Sequence, residues 1–191
     1  KFLESYIQGV GYDDLTRIGC EAHPMANKII ESGLTPISEY YGSEVMLHYP
    51  GLYAGSTDLV CLHNDLETIV DFKQSNRPKR EEWIEDYYMQ IAAYAMAHDY
   101  VYKSKIEQGV IMVCTPDLYY QEFKISGADL RSWKHKFLKR LDMYHEIIQE
   151  PDIKMEPKDF LEEAEKEKKE LEESYQESVR QATERKKKND R

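Results

Sequence analysis

Apolar positions change their period several times along this chain, and each change marks an element. Residues 1–8 read as the last turns of a helix. Over residues 20–32, Ala22, Met25, Ala26, Ile29 and Ile30 form one helical stripe, closed by Gly33. The period then drops to two. Glu44–Tyr49, Tyr53–Leu62 and Leu66–Gln74 read as strands, and the turn His63-Asn64-Asp65 joins the last two as a hairpin. Beyond Pro78 a long helix is predicted from Glu81 to Tyr102. Gln108–Thr115 is an apolar run of the kind that a strand buried on both faces requires. Tyr119–Ile125 follows the Pro116-Asp117 turn as a further strand. Over residues 128–149, Leu130, Trp133, Phe137, Leu141, Tyr144 and Ile148 share one helical face. The order helix, helix, three strands, helix, two strands, helix predicts an α/β (α+β) domain over residues 1–150, a central mixed sheet flanked by helices.

Pro151 and Pro157 bracket a linker over 151–157. Residues 158–191 are almost wholly charged or amide side chains without glycine, which predicts a long solvated helical tail. Leu161, Ala164, Leu171, Tyr175 and Ala182 approach a heptad, but Lys168 and Ser178 interrupt the seam. Self-association or a protein partner through this tail is therefore an alternative to simple solvation.

The 191 residues carry 26 Lys+Arg and 36 Asp+Glu, a net charge of −10. That balance excludes a surface coated throughout by nucleic acid and leaves room for a local basic groove. No apolar run reaches the roughly 18–20 residues of a membrane span, and the start, KFLESYIQ, has no signal-peptide core. It also lacks Met, so a fragment of a longer protein is expected. Cys20, Cys61 and Cys114 are far apart, without a C-x-x-C pair. This argues against a zinc knuckle, a disulfide framework or an iron–sulfur cluster. Three small buried or half-buried residues in a reducing, intracellular setting are expected instead.

The chemistry concentrates between Tyr53 and Tyr94. Asp58 and Asp71 lie on the two strands of one hairpin, and neighbouring strands are about 4.8 Å apart, so two carboxylates can converge. Asp71 and Lys73 are two apart and share a face, while Phe72 points to the opposite layer. Two carboxylates and one ammonium suit a hard divalent cation, Mg²⁺ or Mn²⁺, with the backbone carbonyl of Phe72 as a further oxygen. Gly55 permits a bulge or a close approach. Gln90 and Tyr94, four apart, share one helix face. The basic cluster Arg77, Lys79, Arg80 follows at the mouth, a candidate phosphate-contacting loop, with Trp83, Tyr87 and Tyr88 available to stack bases. Read without any relative, D-x-K is more often an exposed ion pair than a site, and Trp83 as readily a packing residue.

In order and spacing, G-x-x-D (Gly55 to Asp58), D-F-K (Asp71 to Lys73) and Q-x-x-x-Y (Gln90 to Tyr94) resemble the PD-(D/E)XK nuclease superfamily, in its RecB-like exonuclease branch. The strings PGLYAGSTDLV and GVIMVCTPDLYYQEF are similar to phage-encoded and mitochondrial exonucleases of that branch. The resemblance covers roughly residues 1–148. It implies a restriction-endonuclease-like core and Mg²⁺- or Mn²⁺-dependent hydrolysis of DNA, single-stranded or at ends, in replication or recombination. Asp58 and Asp71 would be the metal ligands, Lys73 the catalytic lysine, and Gln90 and Tyr94 the active-site helix pair. Glu44 matches a recurrent acidic position. It further implies a bacterial cytoplasm during phage infection, or a mitochondrial matrix. Two positions depart from the pattern. Thr57 stands where Pro is common, and of the branch's H-x-x-x-E motif only Glu4 has a match, the His position preceding Lys1. The fragment is thus expected to bind metal less well than a longer chain. A structure-selective endonuclease of the same fold, or a non-cleaving nucleic-acid-binding subunit, are the alternatives.

Overall fold

The computed structural model describes residues 1–148, so the linker and tail expected over residues 151–191 lie outside the described residues. Helices α1 (Phe2–Ile7) and α2 (Arg17–Gly33) precede strands β1 (Ile37–Tyr49), β2 (Tyr53–His63) and β3 (Leu66–Gln74). A short 3₁₀ turn, Glu81–Trp83, leads into α3 (Glu85–Tyr102), then β4 (Gln108–Cys114), β5 (Tyr120–Ser126) and α4 (Gly127–Ile148). The five strands form one mixed sheet in the order β1-β2-β3-β4-β5. Every neighbouring pair is antiparallel except β3 and β4, which run parallel. A parallel pair cannot be closed by a tight turn, and α3 supplies the crossover.

Alternation along the strands divides the core in two. Leu59, Cys61, Val70, Val110, Met112 and Cys114 turn toward α2, where Met25 and Ile29 meet them. Val60, Ile69, Ile111 and Val113 turn toward α3 and pack on Ile84, Tyr88, Ile91 and Ala95, with Leu130 of α4 beneath. β4 is thus covered on both faces, which is why its sequence shows no polar alternation. Gly109 lets α3 come close: a Cβ there would overlap Cγ2 of Ile91.

Four boundaries differ from the sequence-based expectation. β1 begins at Ile37, seven residues earlier than predicted, because this edge strand is largely exposed and two register shifts break its alternation. α2 begins at Arg17, capped by Thr16, whose Oγ1 accepts the Gly19 N–H at 3.1 Å. Its first turn is mostly exposed, so the apolar stripe starts late. α3 begins at Glu85, after the 3₁₀ turn. In the β2–β3 hairpin His63 pairs with Leu66, leaving Asn64 and Asp65 as a two-residue turn, both left-handed as such turns require. The apolar face assigned to α4 is also shorter than predicted: Leu130 is buried, but Tyr144 is exposed. Cys61 and Cys114 are buried as expected, whereas Cys20 sits on the exposed side of α2. Among the described residues no helix is long and apolar enough to cross a membrane.

Because overpacking a tight core displaces its neighbours, Gly109→Ala is expected to lower stability by about 1–3 kcal/mol, read from the urea unfolding midpoint. An unchanged midpoint would contradict this helix–sheet packing.

Candidate active site

The site forms where the sheet forks. The β2–β3 ladder runs from His63↔Leu66 to Leu59↔Val70 and ends there. One step further the register would set Asp58 opposite Asp71. Instead Oδ2 of Asp58 accepts the backbone N–H of Phe72 at 2.7 Å. A carboxylate here occupies the place of a strand carbonyl. β2 continues along β1 down to Tyr53, and β3 stays bound to β4 as far as Gln74↔Cys114. The two strands therefore part with both aspartates at the crotch. In a strand a residue's N–H and C=O face the same edge, so the Phe72 carbonyl also turns toward the gap. The Phe72 ring packs into the α2 layer.

Asp58, Asp71 and Lys73 alternate with Val60 and Ile69 onto the α3 side. Lys73 Nζ lies 2.6 Å from Oδ2 of Asp71. The approach is close but poorly aligned, and this buried oxygen is left without a hydrogen-bond partner. Asp71 is 3% exposed. Burial pushes its carboxyl up from an ordinary 3.8 to about 6; the Lys73 ammonium opposes that rise and the Asp58 charge adds to it.

α3 roofs the gap. Tyr87, Gln90 and Tyr94 recur at helical spacing and share one face. At one end the Lys73 ammonium lies 5.3 Å from the centre of the Tyr87 ring. At the other end Tyr94 rests on Gly55, where a Cβ would sit 3.0 Å from Cε1 of the ring. The close approach at Gly55 is thus made by a tyrosine of the protein itself. Between the two ends, Nε2 of Gln90 donates to the Tyr94 hydroxyl at 2.8 Å. The Tyr53 hydroxyl donates to the Ala93 carbonyl at 2.9 Å and ties the same helix to β2.

The basic loop after β3 is held by a residue that sequence reasoning missed. Gln121 of β5 brackets one residue of the loop: its Oε1 accepts the Lys79 N–H at 2.6 Å and its Nε2 donates to the Lys79 carbonyl at 2.9 Å. Nothing in the sequence marks a contact spanning 42 residues. Arg77, Arg80 and Trp83 are exposed, and the Arg80 guanidinium lies 5.2 Å from the centre of the Trp83 ring. Trp83 therefore does not pack on the sheet. Tyr88 does: it is buried, its hydroxyl donating to Glu81 at 3.3 Å, so it is unavailable for stacking. The role of Tyr87 beneath Lys73 was accessible from its spacing to Gln90 and Tyr94.

Glu44 lies in the stretch of β1 that faces Asp58, but it is exposed and left-handed (φ 51°), and its charge acts on Lys1. Glu4 pairs with Lys1 at 3.1 Å. Among the described residues no three His, Cys, Asp or Glu side chains are grouped to hold an ion. Glu44 is accordingly not gathered with the two aspartates.

No protein-family model and no curated protein matches the chain. Among solved structures it is similar to the "Putative exonuclease" from Eubacterium rectale, with a TM-score of 0.51 at 15% identity over 78% of this chain. The chain spans 64% of that protein's length. The two share a fold. A weaker likeness links it to the alkaline exonuclease LHK-Exo from Laribacter hongkongensis, with a TM-score of 0.36 at 16% identity, over 77% of this chain and 79% of that one.

A carboxyl with a raised pKa favours the folded state while protonated. Its contribution is complete below about pH 4 and is lost as pH rises through about 6. In EDTA, Asp71→Asn is thus expected to gain stability relative to the unsubstituted protein between pH 4 and pH 7, by on the order of 3 kcal/mol. Thermal melts at the two pH values measure this. A gap that stays constant with pH would mean that Asp71 is ionised normally.

Proposed function

We propose that the chain is a metal-dependent deoxyribonuclease that hydrolyses phosphodiester bonds from DNA ends. The observation that carries this reading is the buried Asp71 carboxyl where the sheet forks, ion-paired with Lys73 and close enough to Asp58 to feel its charge. A buried carboxylate is costly, and here a single ammonium stands against two carboxylates. The likeness in fold to the Eubacterium rectale protein supports the same reading.

The donor set fits a hard divalent cation. Asp58, Asp71 and the Phe72 carbonyl offer only oxygens, and Mg²⁺ commonly takes one or two carboxylates plus substrate phosphate and water. When bound, such a cation supplies a polarised water and neutralises charge on the phosphate. Lys73 is partly exposed, so its ammonium can reach past Asp71 to orient the attacking water and offset charge gathering on the phosphoryl oxygens. Gln90 spends its amide N–H on Tyr94, which fixes the side chain and leaves its carbonyl oxygen as an acceptor for that water. The new bond joins the water oxygen to phosphorus, the bridging P–O bond breaks, and the released oxygen takes a proton. Arg77, Lys79, Arg80 and Trp83 would contact the DNA strand beside the site.

Labelled linear DNA incubated with Mg²⁺ or Mn²⁺ is expected to be degraded, and EDTA to stop it. Asp58→Asn, Asp71→Asn and Lys73→Ala are each expected to lower the rate about 10²–10³-fold. Digestion by Lys73→Ala at the unsubstituted rate would refute the site assignment. Circular single-stranded DNA should survive, and cutting it would identify an endonuclease.

A further inference from the structure

We infer that the loop between β3 and α3 is a stacking platform for an unpaired nucleotide, so that the strand entering the site is single-stranded. This rests on the nuclease reading for what is done with that strand, but not for its binding. Trp83 is 61% exposed in a domain whose other tryptophan, Trp133, packs against the α3 side of the core. Exposing so large an aromatic surface costs hydration free energy unless something covers it. The Arg80 guanidinium approaches one face of the ring, 5.2 Å from its centre. A guanidinium at this distance leaves the opposite face open to a base and brings a positive charge near that base's own phosphate.

The platform does not stand alone. Gln74, Ser75, Asn76, Arg77, Pro78 and Lys79 surround a depression of about 530 Å³ with Trp83 at its rim. The depression is lined by the residues that follow Lys73 along the chain, so the loop leaves β3 at the end that carries the candidate site. The loop is also ordered in advance. Gln121 grips both backbone groups of Lys79, Ser75 Oγ donates to the Arg77 carbonyl at 2.7 Å, and the Ser75 N–H donates to the Cys114 carbonyl at 3.2 Å. Such ties lower the entropic cost of binding. In a duplex both faces of every internal base are already stacked and only the outer face of each terminal pair is free, whereas every base of an unpaired strand can use the ring.

Fluorescence anisotropy with 5′-labelled oligodeoxythymidine and a blunt duplex, both in EDTA so that nothing is cleaved, separates binding from catalysis. Trp83→Ala is expected to weaken oligodeoxythymidine binding about 5- to 100-fold, since stacking on an aromatic is worth about 1–3 kcal/mol per base. Blunt-duplex binding should change less than about twofold by the same reasoning. Trp83→Phe, which keeps a ring, should retain most of the affinity. Equal losses on both DNAs, no loss on either, or no binding of oligodeoxythymidine by the unsubstituted protein would each overturn the platform. A protein that binds as expected but cleaves no DNA with Mn²⁺ would leave the platform standing and reject the nuclease reading.

Discussion

One hydrogen bond governs the architecture around the candidate site: the Phe72 N–H given to a carboxylate of Asp58 rather than to a strand carbonyl. A charge-assisted bond of this kind satisfies the buried amide as well as a ladder bond would. It lets β2 leave β3 without orphaning that amide. The opening it creates is small, lies at the centre of a five-stranded sheet, and is lined by polar groups whose strands are fixed elsewhere. β3 is held by β4 and β2 by β1, so the gap is rigid on both sides. That rigidity is what a reaction depending on placement needs.

The electrostatics follow from this position. Asp71 lies deep enough that its charge is poorly solvated, and the nearby Asp58 makes matters worse. Lys73 relieves only part of this cost, because burial outweighs the attraction of its ammonium. The net charge of −10 therefore says little about affinity for a polyanion. What counts is the local order of charges: carboxylates inside, one ammonium between, and exposed guanidinium groups on the loop outside.

Much of this was legible in the sequence. The buried run of β4, the Gly33 helix end and the hairpin placing Asp58 near Asp71 followed from period and turn chemistry. The early start of β1 did not, because an exposed edge strand with two register shifts carries no alternation to read. The Asp58–Phe72 bond was not legible either, since nothing in the residue types says a ladder will stop. Gln121 was hidden for a different reason: its partners are backbone atoms, which have no signature in sequence. The exposure of Glu44 depends on one left-handed residue in a strand, a conformation that sequence rarely announces for glutamate.

The bare backbone at position 55 has a wider meaning. Tyr94 leans on it, and Tyr94 in turn steadies Gln90, so the height of the helical roof above the fork is set by a missing side chain. Position 55 is a shim of zero thickness. Successively bulkier residues there would raise the roof by fractions of an ångström while every polar group of the site kept its identity, making clearance, rather than chemistry, the adjustable quantity.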